Sequence, residues 1–533
     1  MQLLVRLRGA RGTGAQIRLS LAVLSFIIYA SVVVALRQDR NNQFLAEREA
    51  FAGAVSSAFY HAPLGTAYSG VSVNIRDINM PLEMALEQAT RGGLAPGSLA
   101  QDGGMEGNGI GYLVLATAAM LIFGVHTYSP ILMMLGLMGI SGAAFLGRFG
   151  AGNALVVLLY FFALTLLLFS RQVWDPDTAL NIPTGGIRYF AVLGILPAFH
   201  LVGELIDLAP SARRDGWWHF CLLALQMVIL LLGVLTRTSS ASLLAAIGCI
   251  WLLTLWRNRR DRVHVWRQIG VGAFIGATAC AVLTTILLLL PPNYLGSGRL
   301  TGQVWHRTFV GLGLNPEWPF GSLREIYNCD YTEVPGLRLE PGPLDANGGC
   351  VWIHYAHAHN IQVYPVEPAS LEAAEREAYF NVVHLYPRQV AETYLYYKPR
   401  LLAAEIKNAV LVPMRLYGYS LLLKVLLVAA FINLLAFVAM PSNATDPPRS
   451  WRLAGIAFLF ALFNLPGYFL AWPGTAQTID LRTYVIFIAG VVLNAMADWI
   501  KRGFITPANP GGVPVGLGEL QFNSRNDSRS DAS

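Results

Sequence analysis

The chain has 533 residues, 54% of them hydrophobic and only 13% charged, with a mean hydropathy of +0.48 and a formal net charge of +6. A soluble globular protein carries about 25% charged residues, so this composition excludes a soluble enzyme. The positive charge reads first as an orientation signal, because Lys and Arg accumulate in cytoplasmic loops, and it does not point to nucleic acid.

Taken in chain order, residues 1–18 hold Arg6, Arg8, Arg11 and Arg18 ahead of an apolar run at 19–36. No small-residue cleavage site follows that run, so it is predicted to be an uncleaved first transmembrane helix behind a cytoplasmic N-terminus. Residues 37–109 are too polar to span and form an extracytoplasmic loop, in which 81–91 has the spacing of an interfacial helix. Apolar runs at 110–124, 130–147, 151–170, 188–208, 217–235, 240–256 and 269–290 make a transmembrane bundle over 110–290. Each run near 20 residues can cross ~30 Å of hydrocarbon as a helix.

The interior loop with Arg257, Arg259, Arg260, Arg262 and Arg267 is predicted to be cytoplasmic, which sends 291–415 outward as a second large region. Runs at 417–440, 453–472 and 483–500 supply the C-terminal transmembrane helices of 416–502. The Gly, Pro, Ser and Asn content of 503–533 predicts a disordered cytoplasmic tail. The fold class is therefore an all-α polytopic membrane protein of about 10–12 transmembrane helices, with two outward regions forming a small cap. One inconsistency stands, because seven runs separate an inside N-terminus from an inside loop and an even number is required. Either the 15-residue run at 110–124 or the run at 188–208, with Pro197, His200, Glu204 and Asp207, does not cross, or a segment is missed.

Several groups could carry chemistry. The first loop holds Asp77, Glu83, Glu87, Asp102 and Glu106, and its Gly-rich end from Asp102 to Tyr112 would set a carboxylate at the membrane boundary, or would be a turn with solvated acids. Trp305, His306 and Arg307 suit lipid headgroups and an anionic phosphate, or an aromatic belt with a snorkelling Arg. His354, His357 and His359 are the densest ionisable cluster, and on a strand His357 and His359 would share a face. They could act as base or phosphate partner, bind zinc, or form a satisfied cluster, although no Cys or Glu at metal-motif spacing completes a metal site.

Cys329 and Cys350 share the second outward region, where an oxidising compartment favours a disulfide that would stabilise it by ~3 kcal/mol. Cys221, Cys249 and Cys280 lie in apolar runs and behave as small hydrophobes. Arg237, Glu204 and Asp207 are expensive to bury, and the two acids, one helical turn apart, are placed to mark a proton path of the kind a transporter needs.

The first span, the acidic outward loop with its surface helix and the following Gly-Ile-Gly-Tyr-Leu-Val-Leu-Ala-Thr-Ala-Ala-Met-Leu-Ile-Phe-Gly resemble the start of the C-type membrane glycosyltransferases, over about residues 19–150. The resemblance implies transfer of a sugar from a polyprenyl-phosphate-linked donor to a lipid or glycan acceptor of the cell envelope, in a bacterial inner membrane, while the basic residues near each end place both termini in the cytoplasm. It also implies a loop carboxylate serving as base or as ligand of a divalent metal ion. That family's tight acidic pair is absent here, where Asp39, Glu47 and Glu49 stand in another context, so the role falls among Asp77, Asp102 and Glu106.

Trp305-His306-Arg307 with Gly311-Leu312-Gly313 resembles a signature of bacterial polytopic relatives, and 373–400, with Tyr386, Pro387, Arg388, Tyr394, Tyr396, Tyr397 and Lys398, fits their helical return to the membrane. His306 would then orient the leaving phosphate while Arg307, Arg237, His357 and His359 bind the donor. His357-Ala-His359-Asn360 and the segment at Arg237 are also similar to elements of O-antigen ligases, which gives a ligase-like transfer as the alternative. A transporter or flippase without covalent chemistry is the competing class. The two large outward regions argue against it, and Glu204 with Asp207 argues for it.

Overall fold

The computed structural model describes residues 13–39, 110–124, 129–169, 189–206, 217–236, 240–289, 304–315, 349–362, 368–411, 420–440, 448–470 and 479–505. Regular structure in these residues is helical throughout, as an apolar chain in lipid requires, since a helix satisfies its backbone hydrogen bonds within one segment. The membrane bundle contains α1 (Thr13–Asp39), α2 (Ile110–Phe123), α3 (Ser129–Phe149), α4 (Ala154–Leu168), α5 (Ile195–Leu205), α6 (Trp217–Thr236), α7 (Ala241–Arg257) and α8 (Arg262–Leu289). Among the described residues six helices are long and apolar enough to cross a membrane, and four shorter apolar helices stand with them. This is an all-α polytopic membrane protein.

A second set of helices lies between α8 and the C-terminal spans. It comprises α9 (Val304–Val310), α10 (Gly349–Ala358), α11 (Pro368–Leu385), α12 (Pro387–Glu392) and α13 (Lys398–Leu411), followed by the spans α14 (Leu421–Ala439), α15 (Pro448–Leu470) and α16 (Ile479–Ile505). Helices α9 to α12 enclose their own core of Phe309, Leu312, Trp352, Ala374, Ala378 and Val382, separate from that of the bundle. Glu372 accepts the Trp305 backbone N–H at 2.8 Å, meeting a donor left over at the start of α9. Asn315 Nδ2 donates to the Gln389 carbonyl at 3.2 Å and ties the turn after α9 to α12. Helix α13 then packs along α16, joining this cap to the bundle.

Side-chain contacts fix which helix ends share a side. Arg18 Nη2 donates to the Met440 carbonyl at 3.3 Å and Asn433 Nδ2 to the Leu21 carbonyl at 3.0 Å, so the start of α1 meets the end of α14. Helix α15 begins at that same end, and Ser242 donates to Asn464 Oδ1 at 2.6 Å, so the start of α7 lies at the other end. Helix α7 therefore finishes in the Arg257–Arg262 loop on the side where α1 starts. The start of α1 and the Arg257–Arg262 loop thus lie at one end of the bundle.

The packing also removes the odd span. Gly111 sits directly against the backbone of Leu232 and Thr236 at the far end of α6. Ser129 donates to the Gly124 carbonyl at 2.6 Å at the start of α3, while the other end of α3 reaches Glu204 and, through it, His219 near the start of α6. Helix α2 thus begins and finishes at the end away from the basic loop, and its 14 residues measure only about 21 Å, short of ~30 Å of hydrocarbon. The run at 188–208 does reach the basic end, through a 3-10 turn (Tyr189–Gly194) held by the Tyr160 hydroxyl on the Val192 carbonyl at 2.9 Å.

Candidate functional site

Two polar places stand out, one at each end of the bundle. The first is the junction of cap and membrane. Lys398 opens α13, is 1% exposed, and holds its Nζ 4.2 Å from the centre of the Tyr394 ring. Tyr379 donates to the Tyr394 hydroxyl at 3.2 Å, and Tyr394 lies in a single π-helical turn (Thr393–Tyr397), a distortion that recurs at functional sites. Burial and the hydroxyl of Tyr379 push the Tyr394 phenol above its usual range. Burial alone pushes the Lys398 ammonium down to about 7. The facing helix α16 carries Arg482 in its first turn, also 1% exposed.

Because the folded pKa of Lys398 lies below the unfolded value of 10.5, the unfolded chain binds more protons between about 7 and 10.5. The cap therefore gains stability as pH rises through that window, and below about 7 the loss is complete. Pulse proteolysis of the cap between pH 7 and 9.5 should show this rise, and Lys398→Met should flatten it. An unchanged slope in that variant would mean Lys398 is charged in the fold across the window.

The second place lies near the basic end, inside the bundle. Arg148, in the last turn of α3, makes a two-pronged pair with Glu204 at the end of α5, its Nε to Oε1 and its Nη2 to Oε2 at 2.9 Å. Arg148 is 4% exposed and Glu204 2%, so the pair is sequestered. A planar guanidinium matches a carboxylate in this way, which is why Arg suits a buried pair. His219, at the start of α6, holds Nε2 3.7 Å from Glu204 Oε2. His200, one turn before Glu204 on α5, is fully buried, with Phe145 and Phe149 edge-on at 6.0 and 5.1 Å.

The residues expected from the sequence are distributed as follows. Asp77, Asp102, Glu106, Arg237, Asp207 and Cys329 lie outside the described residues. His306 and Arg307 fall on α9, and Cys350 falls on α10, with only their backbone described. His354, His357 and His359 do not lie on a strand. They belong to α10 and the turn that ends it, so the residues sharing a face are His354 and His357, three apart and both exposed. His359 stacks on Tyr355 with ring centres 4.0 Å apart, and its Nδ1 lies 2.9 Å from the Tyr355 carbonyl.

The helix wins over the strand because Val351, Trp352 and Ala356 recur at helical spacing and fill the cap core. Asn360, with φ 55°, turns the chain out of α10, and the Ile361 N–H returns to the Ala356 carbonyl at 2.8 Å. Among the described residues no three His, Cys, Asp or Glu side chains stand where they could hold a metal ion.

Sequence reasoning missed Arg148, His219 and Arg482 as site residues. Signals existed, since Arg148 is the only charged residue between 107 and 170 and Arg482 the only Lys or Arg between 453 and 500. A lone intramembrane charge implies a partner. The chain matches no family model, no curated protein and no solved structure.

Proposed function

We propose that this protein is a membrane glycosyltransferase that moves a sugar from a polyprenyl-phosphate-linked donor to an envelope lipid or glycan acceptor. The observation that carries the reading is a helical cap with its own core, joined to the bundle by two packed helices that each open with a buried basic side chain, Lys398 on α13 and Arg482 on α16. Cations withdrawn from water at a membrane boundary bind phosphate oxygens strongly, because little solvent screens them. A lipid-borne phosphate arriving through the bilayer would meet them there.

In this reading a first-loop carboxylate, Asp77, Asp102 or Glu106, takes the proton of the acceptor hydroxyl or holds a divalent metal ion. The acceptor oxygen then bonds to the anomeric carbon as the bond to the lipid phosphate breaks. His306 and Arg307 on α9 would orient the leaving phosphate, with Arg237, His357 and His359 as further donor contacts. The basic end faces the cytoplasm of a bacterial inner membrane and the cap faces outward, by the excess of Arg at that end.

The test is mass spectrometry of envelope glycans and polyprenyl-linked sugars in a deletion strain complemented with wild type, Asp102→Asn, Glu106→Gln or Arg482→Gln. The expected result is a missing sugar with accumulation of its lipid-linked donor, restored by wild type and not by the variants at equal expression. An unchanged glycan profile on deletion would sink transfer chemistry of either the glycosyltransferase or the O-antigen-ligase kind. Transport then takes its place, a reading favoured by the ionisable cluster of Arg148, Glu204 and His219 inside the bundle.

A further inference from the structure

We propose that Arg148, Glu204, His219 and His200 form a proton-binding site inside the bundle, in which one proton taken up on His219 turns the Arg148–Glu204 pair into a three-membered chain tying α3, α5 and α6 together. This does not depend on the transferase reading, and the site lies at the end of the bundle opposite the cap.

The geometry has room for a second state. Glu204 Oε2 accepts from Arg148 Nη2 at 2.9 Å, while His219 Nε2 stands 3.7 Å from the same oxygen, beyond hydrogen-bond distance. A neutral imidazole at that separation is a bystander. An imidazolium is drawn to the carboxylate, and closing the gap by about 0.8–1 Å makes a charge-assisted bond. The oxygen then serves two cations, and α6 is tied to a clasp that otherwise joins only α3 and α5.

Accessibility falls along the same line. His219 is partly exposed and follows the exposed Trp217 and Trp218 at the end of the bundle, Glu204 lies behind it, and His200 is sealed among aromatic rings. His219 Nδ1 and both ring nitrogens of His200 meet no hydrogen-bond partner among the described residues. Buried polar atoms are nearly always paired, and these three imidazole nitrogens lie in the same cluster as the Arg148–Glu204 pair, with Arg148 and His219 acting on His200. Five groups make up or act on the cluster, Arg148 from α3, Glu204 and His200 from α5, His219 from α6 and Arg267 from α8, whose charge reaches His219. The bookkeeping of the step is simple, since one proton leaves water for His219 Nε2 and returns to water on release.

The experiment uses the full-length protein in lipid nanodiscs and infrared difference spectroscopy between pH 8 and pH 5, a range above the ordinary titration of exposed carboxylates. In wild type, imidazolium bands should appear together with a shift of one carboxylate stretching band, the two sharing a midpoint. In His219→Gln the carboxylate shift should be lost and the imidazolium signal should fall by one histidine, while in His200→Phe the carboxylate shift should remain and its midpoint should move. A wild-type spectrum without a carboxylate shift, or a His219→Gln spectrum that keeps it, overturns the proposal. If His219→Gln fails to fold, wild type alone decides, because separate midpoints for the two sets of bands would mean that the carboxylate does not answer to a histidine.

Discussion

Arg148→Met should destabilise the protein by about 3–5 kcal/mol, because it leaves Glu204 buried and charged without its partner. Removing both charges should restore most of that loss, since a well-packed apolar pair stands in for a buried ion pair at little or no cost. The comparison is therefore Arg148→Met and Glu204→Leu alone and together, read as unfolding of the nanodisc protein and combined as a double-mutant cycle. A coupling energy near zero would show that the two side chains do not depend on each other. The same cycle separates packing from the proton-linked clasp, for a double variant that is stable yet lacks the pH-dependent carboxylate shift keeps both conclusions intact.

Gly111→Ala should have the next largest effect. A Cβ at that position would lie 2.5 Å from the Leu232 carbonyl oxygen and the Thr236 nitrogen, backbone atoms of α6 that cannot swing aside. Helix α2 must then lift from α6, with a loss of about 1–3 kcal/mol of the kind overpacking produces. Gly136→Ala on α3 is the control, because nothing lies within 4 Å of the added carbon, and alanine there should add about 0.5–1 kcal/mol through its better helix propensity. If Gly111→Ala melts with or above wild type, as the control does, the close seat of α2 on α6 is wrong, and with it the argument that α2 does not cross.

Much of the architecture is legible in the sequence. Apolar runs of span length and the polar regions between them mark which segments can lie in the membrane, although the number that cross between the N-terminus and the 257–267 arginines is decided only by the packing of α2. The misreadings have physical causes. The His354 to His359 segment alternates as a strand would, but burial of Val351, Trp352 and Ala356 in the cap core makes it helical. The proton-path reading of Glu204 lacked its partner, because Arg148 lies 56 residues away in sequence and no local spacing could bring the two together. The acids of the first loop rest on the resemblance alone, since they lie outside the described residues.

The clearest division between sequence and tertiary structure is between α4 and α8. Both are strongly apolar, yet the span at Ala151–Leu168 is 83% buried in protein while that at Arg262–Leu288 is 17% buried and forms the rim. Hydropathy determined that each lies in the membrane, because apolar surface leaves water for any apolar medium. It could not assign their neighbours, because lipid tails and a protein interior are equally apolar and no hydrophobic force distinguishes them. Close packing and the few buried polar contacts, Ser141 with Gln226 at 2.7 Å, Arg148 with Glu204 and Asn433 with Leu21, made that choice.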